Sequence, residues 1–571
     1  MGIRHTLFSW FNRKLVRRTE WAWRHPAEAQ REALAQILAT HRGAGYLTDH
    51  GVGGEQGPLE ALSRLPIVNY EELRPWIQPL VEQGSGAPGT VVNQPVSLFL
   101  KTSGTTGPAK LLPVTDAYEE EADRGRKMWI RAMLAEHDMN ADGSHMTVVS
   151  PREESRTPGG LMCGSNTGRI FRRQLGVVQF FAPVPYEVFS IRDFDLRYYL
   201  ILRYAAAKHD VRTFTTANSS TVLLLCRRML EFAPEIAADI EAGRICSPER
   251  MERLEQADFG PLLDRDAALK EITWRTQRLP KRARVVREAA QGGAEGLLPR
   301  LWPKLLSVNC WLGGHAPFYL DRVRPFLAVE PGRDPVALRD PGFAASEGLF
   351  GIPLRSGTPE GVLHVLGAFM EFIPEEEDPR GPTLLAHELE VGGRYRIIVT
   401  TQGGLWRYDM NDIIEVTGVH HATPMVRFLY KAGGTLSVTG EKVTEAHAIA
   451  AATRLAAQAP IEQTCATLQL SDPPRYVVAI EPAAGAELAR PPAELARLWD
   501  EALRAENVEY GEKRDSGRLA APEARLVPEG TFNRWRRRRV AAGAPDGQVK
   551  LPPLLRSMEA LERDLLGEEE P

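Results

Sequence analysis

The period of the hydrophobic positions shifts along the chain, and the shifts mark out its elements. Over residues 1–42 the spacing is helical, with Leu34, Ile37 and Leu38 on one stripe and Trp10, Phe11, Trp21 and Trp23 beside Arg13, Lys14, Arg17 and Arg18. This predicts helices docked on the main body with their arginines snorkelling to water; the same pattern also suits a helix lying on an anionic membrane. A short apolar run at residues 96–100 predicts a buried strand. A Ser/Thr/Gly turn, Lys110 and a helix starting near Thr115 or Asp116 follow it. Further short apolar runs, at residues 146–149, 177–181 and 213–214, alternate with helix-length segments, the rhythm of an α/β architecture. Residues 222–300 read as helices, in which Lys281-Arg282-Ala283-Arg284 is expected to be a solvated face.

From Gly392 the alternation becomes that of strands, at residues 395–401, 412–416 and 426–429. Past Gly433-Gly434 it changes again. Residues 444–458 and 493–506 predict helices, and residues 467–470 and 476–481 predict a hairpin around Asp472-Pro473-Pro474. The paired glycines make residues 431–436 the natural boundary. The expectation is a large N-terminal domain, residues 1–432, with a β-barrel-like part, and a small mobile α+β domain, residues 433–571.

Composition narrows the function classes. The chain has 571 residues, 43% of them hydrophobic, enough for a substantial core. Its 70 basic and 74 acidic side chains leave a net charge of −4, which gives no global reason to expect nucleic acid as a partner. The five cysteines (Cys163, Cys226, Cys246, Cys310, Cys465) are scattered without a C-x-x-C pair, which argues against a disulfide framework or a zinc site. No stretch approaches the roughly 20 apolar residues that span a bilayer, and the basic N-terminus lacks a secretory apolar core. A cytoplasmic, monomeric protein without an integral membrane segment is expected.

The candidate chemistry begins at Lys101-Thr102-Ser103-Gly104-Thr105-Thr106-Gly107-Pro108-Ala109-Lys110. Small residues bring backbone close to a ligand, hydroxyls and N–H groups can surround an anion, and a lysine adds positive charge. The physics points to phosphate, yet the glycine spacing is not that of the Walker loop. Phe343-Ala344-Ala345-Ser346-Glu347-Gly348-Leu349-Phe350-Gly351 offers an aromatic ring and one carboxylate, suited to a purine and to Mg²⁺, which prefers oxygen ligands. Trp406-Arg407-Tyr408-Asp409-Met410-Asn411-Asp412 offers a carboxylate at the expected start of a strand, placed to accept two ribose hydroxyls. Leu436-Ser437-Val438-Thr439-Gly440-Glu441-Lys442-Val443-Thr444-Glu445 follows the hinge. Gly530-Thr531-Phe532 then leads into an arginine-rich helix and Gly547-Gln548-Val549-Lys550.

Together with Arg514-Asp515-Ser516-Gly517-Arg518-Leu519, these motifs occur in the order found in the Gretchen Hagen auxin-responsive family of acyl acid amido synthetases, and the chain resembles that family from about residue 30 to residue 555. The resemblance implies the α/β adenylate-forming fold of acyl-CoA synthetases and luciferases. It implies that Thr102, Ser103, Gly104, Thr105, Thr106, Gly107 and Lys110 hold the ATP phosphates, and that Gly313 and Gly314, next to His315, line the adenine side. Phe343, with Ser346 nearby, stands where the family usually has an adenine-stacking tyrosine. Glu347 is implied as the Mg²⁺ ligand, Asp412 as the ribose acceptor and Lys550 as a phosphate-contacting catalytic lysine. The family hinge usually reads Arg-x-Gly-Asp; here it is Lys431-Ala432-Gly433-Gly434, so the hinge aspartate is missing.

The implied reaction uses ATP and Mg²⁺ to adenylate a small carboxylic acid and then passes the acyl group to an amine, usually an amino acid. The acyl pocket is implied between the helix near residues 219–226 and the strands around Ala344. His315, His364, His387, His420 and His421 are, by residue type alone, candidates for the base that accepts the amine proton. Two other readings fit parts of the pattern: an adenylate-forming ligase with a coenzyme A or carrier thiol as acceptor, and a catalytically silent sensor of a carboxylate or nucleotide.

Overall fold

The structure, a computed structural model, describes residues 3–54, 56–102, 110–137, 143–173, 182–274, 276–314, 316–329, 331, 335–432, 434–483, 485–532, 534–535, 538 and 553–565. The described residues gather into two compact units that divide between Tyr430 and Lys431.

The first unit is built on three sheets. Strand Val96–Thr102 is fully buried along Leu98, Phe99 and Leu100. It pairs antiparallel with Lys110–Thr115 and parallel with Met162–Gly164. The sequence predicted that a turn and Lys110 would lead straight into a helix. Instead Lys110 opens a second strand that runs antiparallel to the first, with Thr102 opposite Lys110 and Lys101 opposite Leu111. The alternation Leu112, Val114 was too short to stand out as a strand. The helix follows as expected at Asp116–Glu136, where the Thr115 hydroxyl caps it by accepting from the Tyr118 amide at 3.2 Å.

A second sheet is wholly parallel: Ser144–Thr147, Val211–Thr215, Ser307–Asn309 and Ala337–Arg339, joined by helical crossovers. The crossover helices include Phe194–Ala207, Ser219–Ala242 and Pro280–Gln291. In the last of these Arg282 is not solvated, contrary to the sequence reading. It is buried, donates from Nε to the Ala206 carbonyl at 2.6 Å, and burial lowers its pKa to about 10. The run at residues 177–181 lies outside the described residues.

The third sheet has eight antiparallel strands from Phe343–Ala344 to Thr423–Lys431. Its longest members are Tyr408–His420 and Thr423–Lys431. Its strands supply much of the unit's core, including Phe350, Phe369, Ile397 and Ile414.

The second unit is α+β. Its hairpin Ile461–Gln469 and Arg475–Pro482 is flanked in parallel by Glu523–Leu526 and Leu554–Leu555, and is accompanied by helices Glu445–Ala456, Pro492–Glu506 and Val508–Asp515. Gly434 adopts a left-handed φ of 65°, and a Cβ there would sit 2.4 Å from the Glu445 carboxylate. The left-handed backbone favours glycine here, and a side chain would require the Glu445 carboxylate to move.

Candidate functional site

Lys110 lies between two tyrosine rings, its Nζ 5.8 Å from the centre of Tyr70 and 5.6 Å from that of Tyr408, and donates to the Tyr408 hydroxyl at 3.0 Å. Tyr70 holds the lysine's strand in place: its hydroxyl accepts from the Leu111 amide at 2.8 Å and donates to the Leu111 carbonyl at 3.2 Å. Tyr408 is 1% exposed, and its pKa is raised well above the ordinary phenol value. Burial is the main cause, and the negative fields of Glu347, Asp409 and Asp412 add to it. The phenol therefore stays protonated beside the ammonium group. Lys110 through its hydrogen bond, and Glu347 and Asp412 through their negative fields, thus all act on this one phenol although they lie far apart in sequence.

The segment that carries Tyr408 and Asp412 is held by its neighbours. Trp406 is fully buried and donates to the Val91 carbonyl at 2.9 Å. Arg407 forms a forked pair with buried Glu371, at 3.0 and 2.8 Å, and reaches the Leu65 carbonyl at 2.9 Å. Arg407 and Asn411 have left-handed φ values of 41° and 62°, and the ladder to strand Arg394–Thr400 shifts register here. Asn tolerates this region, whereas Arg407 holds it against its own preference, fixed by Glu371 and the Leu65 carbonyl. Asp412 therefore does not begin a strand, as the sequence suggested. It lies inside Tyr408–His420, 4% exposed, just past an irregularity that re-aims the chain.

Glu347 is presented differently. Strands Phe343–Ala344 and Leu349–Ile352 pair as a hairpin whose tip is residues 345–348, closed by Ala345 N to Gly348 O at 2.9 Å. The Tyr118 hydroxyl donates to the Ser346 carbonyl at 2.8 Å, and Asn166 donates to the Ala345 carbonyl at 3.3 Å. Asn166 is in turn gripped by buried Arg169, which also pairs with Glu119. The tip is thus fixed from below, while the Glu347 carboxylate has no hydrogen bond or ion pair among the described residues and is half-buried.

Phe343 is 9% exposed, with its ring stacked on Phe428 at 6.1 Å and tilted against Phe350 at 5.5 Å. Gly313 and Gly314 cover Phe428 so closely that a Cβ on either would fall within about 3.5 Å of it. Their loop is pinned by Asp340, whose carboxylate accepts from the Leu312 and Gly342 amides, each at 2.7 Å. Burial raises the Asp340 pKa to about 6. Among the residues sequence reasoning missed, Tyr70, Tyr118, Arg169 and Asp340 carry no motif. Tyr408 stood in a motif without a role.

Ser103, Gly104, Thr105, Thr106, Gly107, His315 and Lys550 lie outside the described residues; Thr102 is described only as the last residue of its strand. Of the candidate bases, His364 is 1% exposed and burial lowers its pKa to about 4, and His420 packs edge-on to Trp23 at 5.0 Å. No group of three or more His, Cys, Asp or Glu among the described residues is arranged to hold a metal ion, and no described helix is long and apolar enough to cross a membrane.

A solved structure of the AtGH3.15 acyl acid amido synthetase in complex with 2,4-DB matches 96% of this chain and 95% of its own, with a TM-score of 0.62 at 20% identity. The molecule therefore has the α/β fold of that acyl acid amido synthetase. The models of the GH3 family N-terminal, central and C-terminal domains match residues 15–331, 361–431 and 444–559, and the chain belongs to the GH3 family. Among its relatives are the probable indole-3-acetic acid-amido synthetase GH3.2 of Oryza sativa subsp. japonica and the indole-3-acetic acid-amido synthetase GH3.8 of Oryza sativa subsp. indica. The first is 28% identical and covers 92% of this chain and 87% of its own; the second is 27% identical and covers 92% and 87%.

Proposed function

We propose that the protein is an ATP-dependent acyl acid amido synthetase. The observation that carries the reading is Lys110 hydrogen-bonded to the buried Tyr408, whose phenol is also under the negative fields of Glu347 and Asp412, in a fold shared with an acyl acid amido synthetase. In the first half-reaction an oxygen of a carboxylate attacks the α-phosphorus of ATP. The α–β phosphoanhydride bond breaks, giving an acyl-adenylate and pyrophosphate. Such a transfer needs positioning and charge neutralisation more than an acid–base pair. Lys110, held by Tyr408, neutralises phosphate charge together with the loop Thr102 to Gly107. Asp412 accepts the ribose hydroxyls, and the adenine lies against Gly313, Gly314 and Phe343, with Ser346 beside it.

Glu347, a carboxylate with no protein partner among the described residues, fits a Mg²⁺ ion that takes most of its oxygens from phosphate and water. The ion supplies further neutralisation of the phosphates when bound. In the second half-reaction an amine, with an amino acid as the natural acceptor, attacks the acyl carbon, releasing AMP and forming the amide. Residues 1–432 serve as the ATP- and acyl-binding domain and residues 433–571 as a lid domain that brings Lys550 to the first step.

The test is carboxylate-dependent exchange of labelled pyrophosphate into ATP, with Mg²⁺ and no amine, across aryl, indolyl and aliphatic acids. Exchange with one acid identifies the acyl substrate and leaves the amine to be found by product analysis. ATP binding without exchange for any acid would favour the silent sensor, and acid-dependent consumption of coenzyme A would favour the thioester-forming ligase.

A further inference from the structure

The first 24 residues contain six basic side chains and one acidic one, on a chain whose net charge is −4. They form helices Ile3–Phe11 and Arg13–Arg24. The second helix buries Val16, Thr19, Ala22 and Trp23, and its end is pinned where the Ala422 amide and the Thr423 hydroxyl both donate to the Trp23 carbonyl at 3.0 Å. Arg131 of helix Asp116–Glu136 ties the pair down further, donating to Ser9 and Glu20 at 3.4 Å. Docking through this inner face leaves an outer face of opposite character. Trp10 and Phe11 are adjacent and 60% and 75% exposed, and Arg13, Lys14 and Arg17 beside them are exposed as well.

Next to the aromatic pair is a cleft of about 730 Å³ lined by Arg13, Lys14, Arg18, Arg124, Lys127 and Glu32, with Phe11 at its edge. Arg18 is occupied by Glu32, but the other four cations have no carboxylate ion pair among the described residues. Soluble proteins gain nothing by exposing adjacent Trp and Phe, whereas these side chains favour the interface of a bilayer. A cationic rim beside them completes the recognised pattern of an interfacial helix.

We propose that this face docks on an anionic membrane, with Trp10 and Phe11 entering the headgroup layer and the cleft between Arg13, Lys14, Arg124 and Lys127 receiving lipid phosphate. The inference does not depend on the reading of the activity, because none of these residues belongs to the site around Tyr408.

Co-sedimentation with vesicles tests it. The full-length protein binds vesicles containing about 30% anionic lipid and not purely zwitterionic ones, and is released by about 0.5 M salt. Arg13→Glu with Lys14→Glu weakens the partition at least about 10-fold. Trp10→Ala with Phe11→Ala also weakens it, and both pairs keep the thermal melting point and pyrophosphate exchange of the parent. Equal binding to neutral vesicles, no binding to anionic ones, or unchanged binding by both variants would overturn the proposal. So would displacement by inorganic phosphate beyond that caused by chloride of the same ionic strength, which would make the cleft a site for a soluble anion.

Discussion

Two glutamates, Glu347 within residues 343–351 and Glu441 within residues 436–445, have opposite environments. Glu441 in the second unit is fully buried and its carboxylate is saturated: it accepts from the Val438 and Thr439 amides, the Thr439 hydroxyl and the Tyr476 hydroxyl, at 2.7–3.1 Å. Glu347 in the first unit sits at a hairpin tip with its backbone fixed and its carboxylate unengaged among the described residues. The other motifs that mark the second unit follow the pattern of Glu441. Buried Glu481 accepts from the amides of Gly530 and Phe532, holding Gly-Thr-Phe as a turn. Asp500 takes a forked pair from Arg514, at 2.9 and 3.1 Å, and a bond from Tyr510 at 2.5 Å. Burial opposes the Asp500 charge, yet those donors hold its pKa below the ordinary value. A motif can therefore persist in a sequence as internal scaffolding as readily as chemistry. What separates the two is whether the carboxylate's lone pairs are already used.

The comparison can be broken by substitution. Lys110→Ala is expected to lower acid-dependent pyrophosphate exchange by about 10²–10³, the range for removing a single charge-stabilising donor, while the melting temperature stays close to the parent's. A fall in both together would make Lys110 structural. Glu441→Ala should do the reverse. It leaves buried N–H and O–H donors without an acceptor and should destabilise the second unit by about 3 kcal/mol, read by denaturant unfolding, with exchange in the folded fraction retained. A stable variant with no exchange would move Glu441 into the chemistry.

A smaller effect comes from a third kind of carboxylate. Glu121 in helix Asp116–Glu136 is buried, one of its oxygens has no hydrogen-bond partner, and burial raises its pKa from 4.5 to about 7. Its protonated form suits the fold, so its contribution to stability is complete below about pH 4.5 and is lost as pH rises through 7. Glu121→Gln should remove that slope, gaining up to about 3 kcal/mol on the parent between those limits. Unfolding curves that run parallel at pH 5 and pH 8 would contradict this.

Much of the architecture was legible because it rests on local signals. The strand at Leu98–Leu100, the cap at Thr115, the Ala-rich helix after Thr444 and the hairpin around Pro473 are each announced by a few adjacent residues. The strand that Lys110 opens and the position of Asp412 within a strand were not legible. The first is decided by pairing with Val96–Thr102, and the second by a register shift that depends on Arg396 and Arg407. Lys110, Glu347 and Asp412 were expected as site residues from motifs. Tyr70 and Tyr118, which hold the strand of Lys110 and the hairpin tip of Glu347, and Asp340, which holds the Gly313-Gly314 loop, act through hydrogen bonds across 28 to 228 positions of chain, and no short pattern encodes that. Arg282 shows the converse: a basic run read as surface, in which one member finds a buried carbonyl.

The most direct test of the claim that Glu347 is chemical and Glu441 architectural is the pyrophosphate exchange rate of Glu347→Gln, measured with the acid that supports exchange in the parent. A loss of at least about 100-fold with an unchanged melting temperature is expected. Exchange at the parental rate would remove Glu347 from the site and, with it, the distinction between the two glutamates.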